Sequence, residues 1–186
     1  MSSAIMQQSV FDHFQQRLES TMALAESCSQ HLPEAAQLFA ECFLNGGKVL
    51  IYGSGHSASL AALAEHYFLF GYNFERPPFP ALAMRPDCDA QSAVTLLQQL
   101  AQPGDLLLVL ADPQQPEQGA ELIAQARRAA LRSLSLGATG QEHASAGQLV
   151  LPLAAASDHS TPLVNLQLEA LQCLCHLIDQ QVFGAD

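Results

Sequence analysis

Positive charge is nearly missing from this chain. Lys48 is its one lysine, and Arg17, Arg76, Arg85, Arg127, Arg128 and Arg132 are its arginines, against 18 acidic residues and a net charge of −11. No basic stripe forms along the sequence. That disfavours direct binding to DNA or RNA, where phosphate neutralisation supplies much of the affinity. Charge of either sign is also sparse, at 13% of residues, against about a quarter in ordinary soluble domains. A surface so short of charge fits an oligomer that hides part of it. Long apolar runs are missing as well: none reaches the roughly 18 residues of a membrane span. Cys28, Cys42, Cys88, Cys173 and Cys175 contain no C-x-x-C pair. Their odd number and scatter match buried small hydrophobes in a reducing compartment. The N-terminus has no basic, apolar and cleavage-site pattern, so a cytoplasmic chain is expected.

What is present is apolar. Half of the 186 residues are hydrophobic, enough for one domain, residues 1–186, with a real core. Helices are expected over about 3–45 and an α/β core over about 47–186. Val10, Phe11, Phe14, Leu18, Met22 and Leu24 recur at helical spacing and predict a first helix from about Ser9 to Cys28, with apolar residues on more than one face. Pro33 opens a second helix to about Leu44, which Asn45-Gly46-Gly47 ends. Strands are expected at Val49–Tyr52, Ala81–Met84, Leu106–Ala111, Leu131–Leu136 and Gln148–Leu153. Helices are expected after Ser57 to about Phe70, over about Ala90–Ala101, up to about Ala130, and from the Ser160-Thr161-Pro162 cap to about Val182. Strands alternating with helices imply βαβ units, a parallel sheet and an α/β sandwich.

The first strand runs into Gly53-Ser54-Gly55-His56-Ser57 and then into a helical pattern. A strand, a tight glycine turn and a helix start together make an anion site, because the first backbone N–H groups of a helix lack intrahelical partners and its dipole is positive there. Ser54, Gly55, Ser57 and Ser59 are the expected ligand-binding residues, and a phosphate is the natural guest.

Several strings resemble the SIS (sugar isomerase) family, in its branch of phosphoheptose isomerases and DnaA initiator-associating proteins. They are Asn45-Gly46-Gly47-Lys48-Val49-Leu50, the Gly53–Ser57 turn, Glu75-Arg76-Pro77, Phe79-Pro80-Ala81-Leu82-Ala83 and Gln102-Pro103-Gly104-Asp105-Leu106-Leu107. The tail Cys173-Leu174-Cys175-His176-Leu177-Ile178-Asp179-Gln180-Gln181-Val182-Phe183 is similar to the initiator-associating ending. The resemblance implies a three-layer α/β/α sandwich with a five-stranded parallel sheet, an extra N-terminal helix and a homotetramer. For the active isomerases it implies conversion of sedoheptulose 7-phosphate by zinc-assisted proton transfer.

That chemistry needs an acid, a base and a metal ligand set. By the resemblance, active relatives carry a His and a Glu on the helix after the turn, at positions that fall on Leu63 and Tyr67 here. They carry a Gln and a His on the last helix, at positions that fall on Val164 and Gln172. All four are replaced, so no catalytic residue, metal or other cofactor is expected. Glu65 and His66 stand beside Tyr67, but adjacent helix positions point about 100° apart and do not rebuild the lost face. His13, His31, His143, His159 and His176 are scattered and read as structural. The loop Ala111-Asp112-Pro113-Gln114-Gln115-Pro116-Glu117 replaces the hydroxyl-rich phosphate loop usual in the family with two prolines and two carboxylates.

Three functions follow as expectations. One is a non-catalytic SIS protein acting through protein contacts and retaining weak phosphosugar binding at the turn, with DnaA as the partner implied by the resemblance and Phe183 as its anchor. Phe183 packing within the tetramer is the competing role. The others are a phosphosugar-sensing regulator using the glycine turn, and a phosphoheptose isomerase.

Overall fold

Val49–Gly53 (β1) and Leu106–Leu110 (β3) are buried at every residue. Strands that are apolar throughout, rather than alternating, belong at the centre of a parallel sheet covered on both faces. The computed structural model describes residues 3–85, 88–112, 114–137, 147–151, 153 and 163–184, and it places these two strands side by side. Ala81–Ala83 (β2), Arg132–Leu136 (β4) and Gln148–Leu151 (β5) complete a five-stranded sheet in the order β2-β1-β3-β4-β5, parallel at every pairing.

The helices are Ser3–Cys28 (α1), His31–Leu44 (α2), Ala58–Phe70 (α3), Ala90–Leu100 (α4), Pro116–Arg128 (α5) and Leu163–Phe183 (α6). Alternate residues of each strand face opposite layers, as strand geometry requires. Val49, Ile51, Leu106, Leu108, Leu134 and Leu136 pack with α2, α3 and α6, while Leu50, Tyr52, Leu107 and Val109 pack with α4 and α5. The expected α/β/α sandwich with an extra N-terminal helix is the observed fold. Stacked rings knit the first layer: Phe39 on Phe68 at 5.7 Å, and Phe43 on Phe79 at 4.3 Å.

Boundaries differ from the sequence expectation in a few places. α1 begins at Ser3 rather than near Ser9. α2 begins at His31, so Pro33 sits third in the helix, where its missing N–H still costs no intrahelical bond. β5 ends at Leu151, with Leu153 buried beyond it. The Ser160-Thr161-Pro162 cap lies outside the described residues, as do His143 and His159. Cys28, Cys42 and Cys175 are buried as expected, whereas Cys173 is exposed and Cys88 intermediate. Burial drives the Cys175 thiol up to about 12, far from reactive thiolate character. No helix among the described residues is long and apolar enough to cross a membrane.

Candidate functional site

The strand order reverses direction between β1 and β3, and in open parallel sheets the crevice at such a switch point is where ligands bind. The turn after β1 and the loop after β3 meet there. Gly53, the last residue of β1, leaves no room for a side chain, because a Cβ at that position would lie 2.4 Å from the Ser57 carbonyl oxygen. A short 3-10 turn, Gly55–Ser57, then leads into α3. Gly55 has φ +50, and a Cβ there would lie 2.1 Å from an Asp112 carboxylate oxygen.

Each expected ligand residue can be placed. Ser54 and Ser57 are buried, at 2% and 1% exposure; Gly55 and Ser59 are exposed. The Ser54 hydroxyl accepts from the Asp112 amide at 3.1 Å. The Ser57 hydroxyl donates to Gln167 Oε1 at 2.6 Å. Gln167 Nε2 donates to the carbonyls of Ala111 at 2.8 Å and Leu136 at 3.0 Å. One fully buried amide therefore joins the turn to β3, β4 and α6. Sequence reading passed over Gln167. Its signal was a polar residue within the apolar stripe Leu163, Leu166, Ala170, Leu171 and Leu174 of α6.

Asp112 is the other residue whose role the sequence concealed. It is 3% exposed. Its carboxylate accepts from the amides of His56 and Gln114, each at 2.9 Å, and lies 3.3 Å from His56 Nδ1. Burial pushes this carboxyl upward, but the Gln114 and His56 donors and the His56 ring outweigh it and hold the pKa below the usual Asp value.

The positions assigned to isomerase chemistry lie on α3 and α6. Leu63 and Val164 pack as partly buried apolar residues against the core. Tyr67 and Gln172 meet, with Gln172 Nε2 donating to the Tyr67 hydroxyl at 3.2 Å. Zinc takes imidazole, thiolate or carboxylate donors. Two aliphatic side chains, a phenol and an amide do not fit it. Among the described residues, no three His, Cys, Asp or Glu side chains form a metal-holding group. Glu65 is structural: its carboxylate accepts the Ala83 amide of edge strand β2 at 2.9 Å. His176 pairs with Asn73 at 3.1 Å.

A cleft of about 840 Å³ runs along α6, lined by Tyr72, Phe74, Glu169, Gln172, His176 and Phe183 among others. At its end Phe183 is 44% exposed. The Phe183 ring stacks on Phe79 at 5.8 Å and meets Phe74 edge-on at 6.0 Å. Beneath it Arg76 lies 3.9 Å above the Phe79 ring. Arg76 Nε also donates to Asp179 at 2.6 Å, with both side chains almost fully buried. Arg76 further donates to the carbonyls of Phe68 and Tyr67.

The profile of the SIS domain matches residues 12–136. A phosphoheptose isomerase from Chromohalobacter salexigens is 27% identical over 192 aligned residues, spanning 96% of this chain and 98% of that protein. The solved structure of a phosphoheptose isomerase from Francisella tularensis superposes with a TM-score of 0.71 at 26% identity, covering 97% of this chain and all of that one (100%). A phosphoheptose isomerase structure from Neisseria gonorrhoeae shares the fold, with a TM-score of 0.72 over 94% of this chain and 99% of that one at 20% identity.

Proposed function

The chain belongs to the SIS-domain family, and from that premise we propose that it is a non-catalytic SIS protein that works through protein contacts. One observation carries the reading. Where the resemblance puts acid/base and metal-binding residues, this chain packs Leu63 and Val164 against its core and ties Tyr67 to Gln172. Two aliphatic side chains, a phenol and an amide offer no carboxylate or imidazole to act as the general base.

The proposed assembly is a homotetramer. Ile5, Met6, Val10, Phe11, Phe14, Leu18 and Met22 on α1 are each 53–68% exposed in the single chain, a run of apolar surface that calls for a partner. The proposed external partner is a DnaA-type initiator, implied by the tail resemblance, with Phe183 as the anchor. Several copies of one surface on a tetramer raise effective concentration without new contacts, and the −11 charge complements a basic partner.

The relatives' names favour a second reading, a phosphoheptose aldose–ketose isomerase, with Ser54, Gly55, Ser57 and Ser59 binding the phosphate. A phosphosugar-sensing regulator would use the same turn. Purified protein incubated with sedoheptulose 7-phosphate in deuterated water separates the readings. The contact protein shows no product and no deuterium exchange beside the carbonyl; turnover above a no-protein control overturns the proposal. Capture of purified DnaA by the wild type, lost in Phe183→Ala, tests the partner.

A further inference from the structure

We propose that Asp112 is a resident anion that fills the phosphate position of the glycine turn and excludes phosphorylated ligands from it. This deepens the non-catalytic reading and rests on it. A phosphate at such a turn is held by free backbone N–H groups and by hydroxyls. Here four backbone amides and two hydroxyls of the turn are committed. The His56 amide goes to Asp112 Oδ2. The Ser57 amide goes to the Ser54 carbonyl at 2.9 Å, the Ala58 amide to the Gly55 carbonyl, and the Ser54 amide to the Leu110 carbonyl at 3.3 Å. The Ser57 hydroxyl is turned inward to Gln167, and that of Ser54 is held by the Asp112 amide.

The carboxylate is also in the way. It lies so close over Gly55 that even a methyl group there would collide with it. It is locked on both oxygens, by His56 on one and Gln114 on the other. A phosphate approaching the His56 amide would meet a like charge already seated on that donor, and like charges at contact distance repel strongly in a partly buried site. Within the loop Pro113 and Pro116 lack N–H groups, and the backbone amides of Gln114 and Gln115 both go to Asp112. Substitution of a carboxylate for a phosphate at one position turns a ligand site into a closed turn.

The test is an amide NMR titration of the full-length chain with inorganic phosphate and, separately, with sedoheptulose 7-phosphate. Wild type is expected to show no saturable shift at the His56 amide. Asp112→Ala frees both the donor and the space, and is expected to bind phosphate at least tenfold more tightly than wild type. Asp112→Asn removes the charge but not the volume, and is expected to fall between them. Should Asp112→Ala fail to fold by circular dichroism, the Asn variant carries the comparison. The wild-type titration also stands alone, since a saturable phosphate shift at His56 in wild type overturns the proposal. So does an unchanged affinity in folded Asp112 variants. Phosphate binding by wild type without turnover breaks this inference alone, whereas turnover breaks the functional reading.

Discussion

The switch-point turn and the end of α6 lie on the same domain and have opposite characters. The turn is polar, yet Ser54, Ser57, Asp112 and Gln167 are all at most 3% exposed and bonded to one another or to the backbone. The end of α6 is aromatic, with Phe183 and Phe74 44% and 48% exposed. Buried polar groups that satisfy each other hold a fold together, because each would cost free energy if left unpaired. Exposed aromatic rings gain nothing from water and stand ready to be covered. The proposed contact function rests on this difference, between a turn closed on itself and a helix end left open.

The largest expected effect lies beneath the helix end, at the buried pair Arg76–Asp179. Arg76→Ala would strip Asp179 of its counter-charge and is expected to lower stability by about 3–5 kcal/mol, the usual cost of breaking a buried ion pair. Urea unfolding measures it. A loss under 1 kcal/mol would show that water reaches the site and that the helix end is softer than its packing implies.

Next comes the turn itself. Gln167→Ala leaves the Ser57 hydroxyl and the Ala111 carbonyl without their partner, while the Leu136 carbonyl keeps the Ala111 amide, and about 2–4 kcal/mol of destabilisation is expected from a small cavity plus unpaired polar groups. Gln167→Leu is expected to recover little of it, since shape is restored but the hydrogen bonds are not. Full recovery with Leu would reduce the polar network to simple volume filling.

The Asp112 carboxyl sharpens the comparison through pH. Its folded pKa is depressed, so its stabilisation is present above the ordinary Asp value of about 3.9 and is lost as pH falls through the lower folded value. Wild type should therefore lose stability across that acid window, and Asp112→Asn should lose less over the same window in parallel melts. Asp179 has the opposite sign. Burial raises its pKa against the pull of Arg76, and its Oδ2 is buried without a hydrogen-bond partner.

The smallest stability effects belong to the functional candidates. Tyr67→Phe gives up one 3.2 Å bond, worth about 0.5–1.5 kcal/mol. Phe183→Ala should cost about 1 kcal/mol or less, given the ring's exposure, while abolishing partner capture. A large loss of stability or of tetramer in Phe183→Ala would reassign the ring to the subunit interface.

The sequence by itself determined the layers. Runs such as Leu106–Leu110 have no polar face to give to water, so they had to be central strands, and glycine marked some of the ends, as at Gly46-Gly47 after α2 and Gly71 after α3. That positions 63, 67, 164 and 172 hold Leu, Tyr, Val and Gln was also legible, because residue identity is read without a structure. Element ends were less legible: Pro33 resembles a helix start, yet the helix tolerates it at its third residue. Only the tertiary structure decided what the polar residues of the switch point do. Ser57 and Gln167 are 110 residues apart, and His56 and Asp112 are 56 apart. Nothing local distinguishes a serine waiting for phosphate from one bonded to a distant amide. Hydrogen bonds are directional and short-ranged, so the partner is chosen by where the sheet and helices bring the chain, and that choice made the acidic loop the turn's own anion.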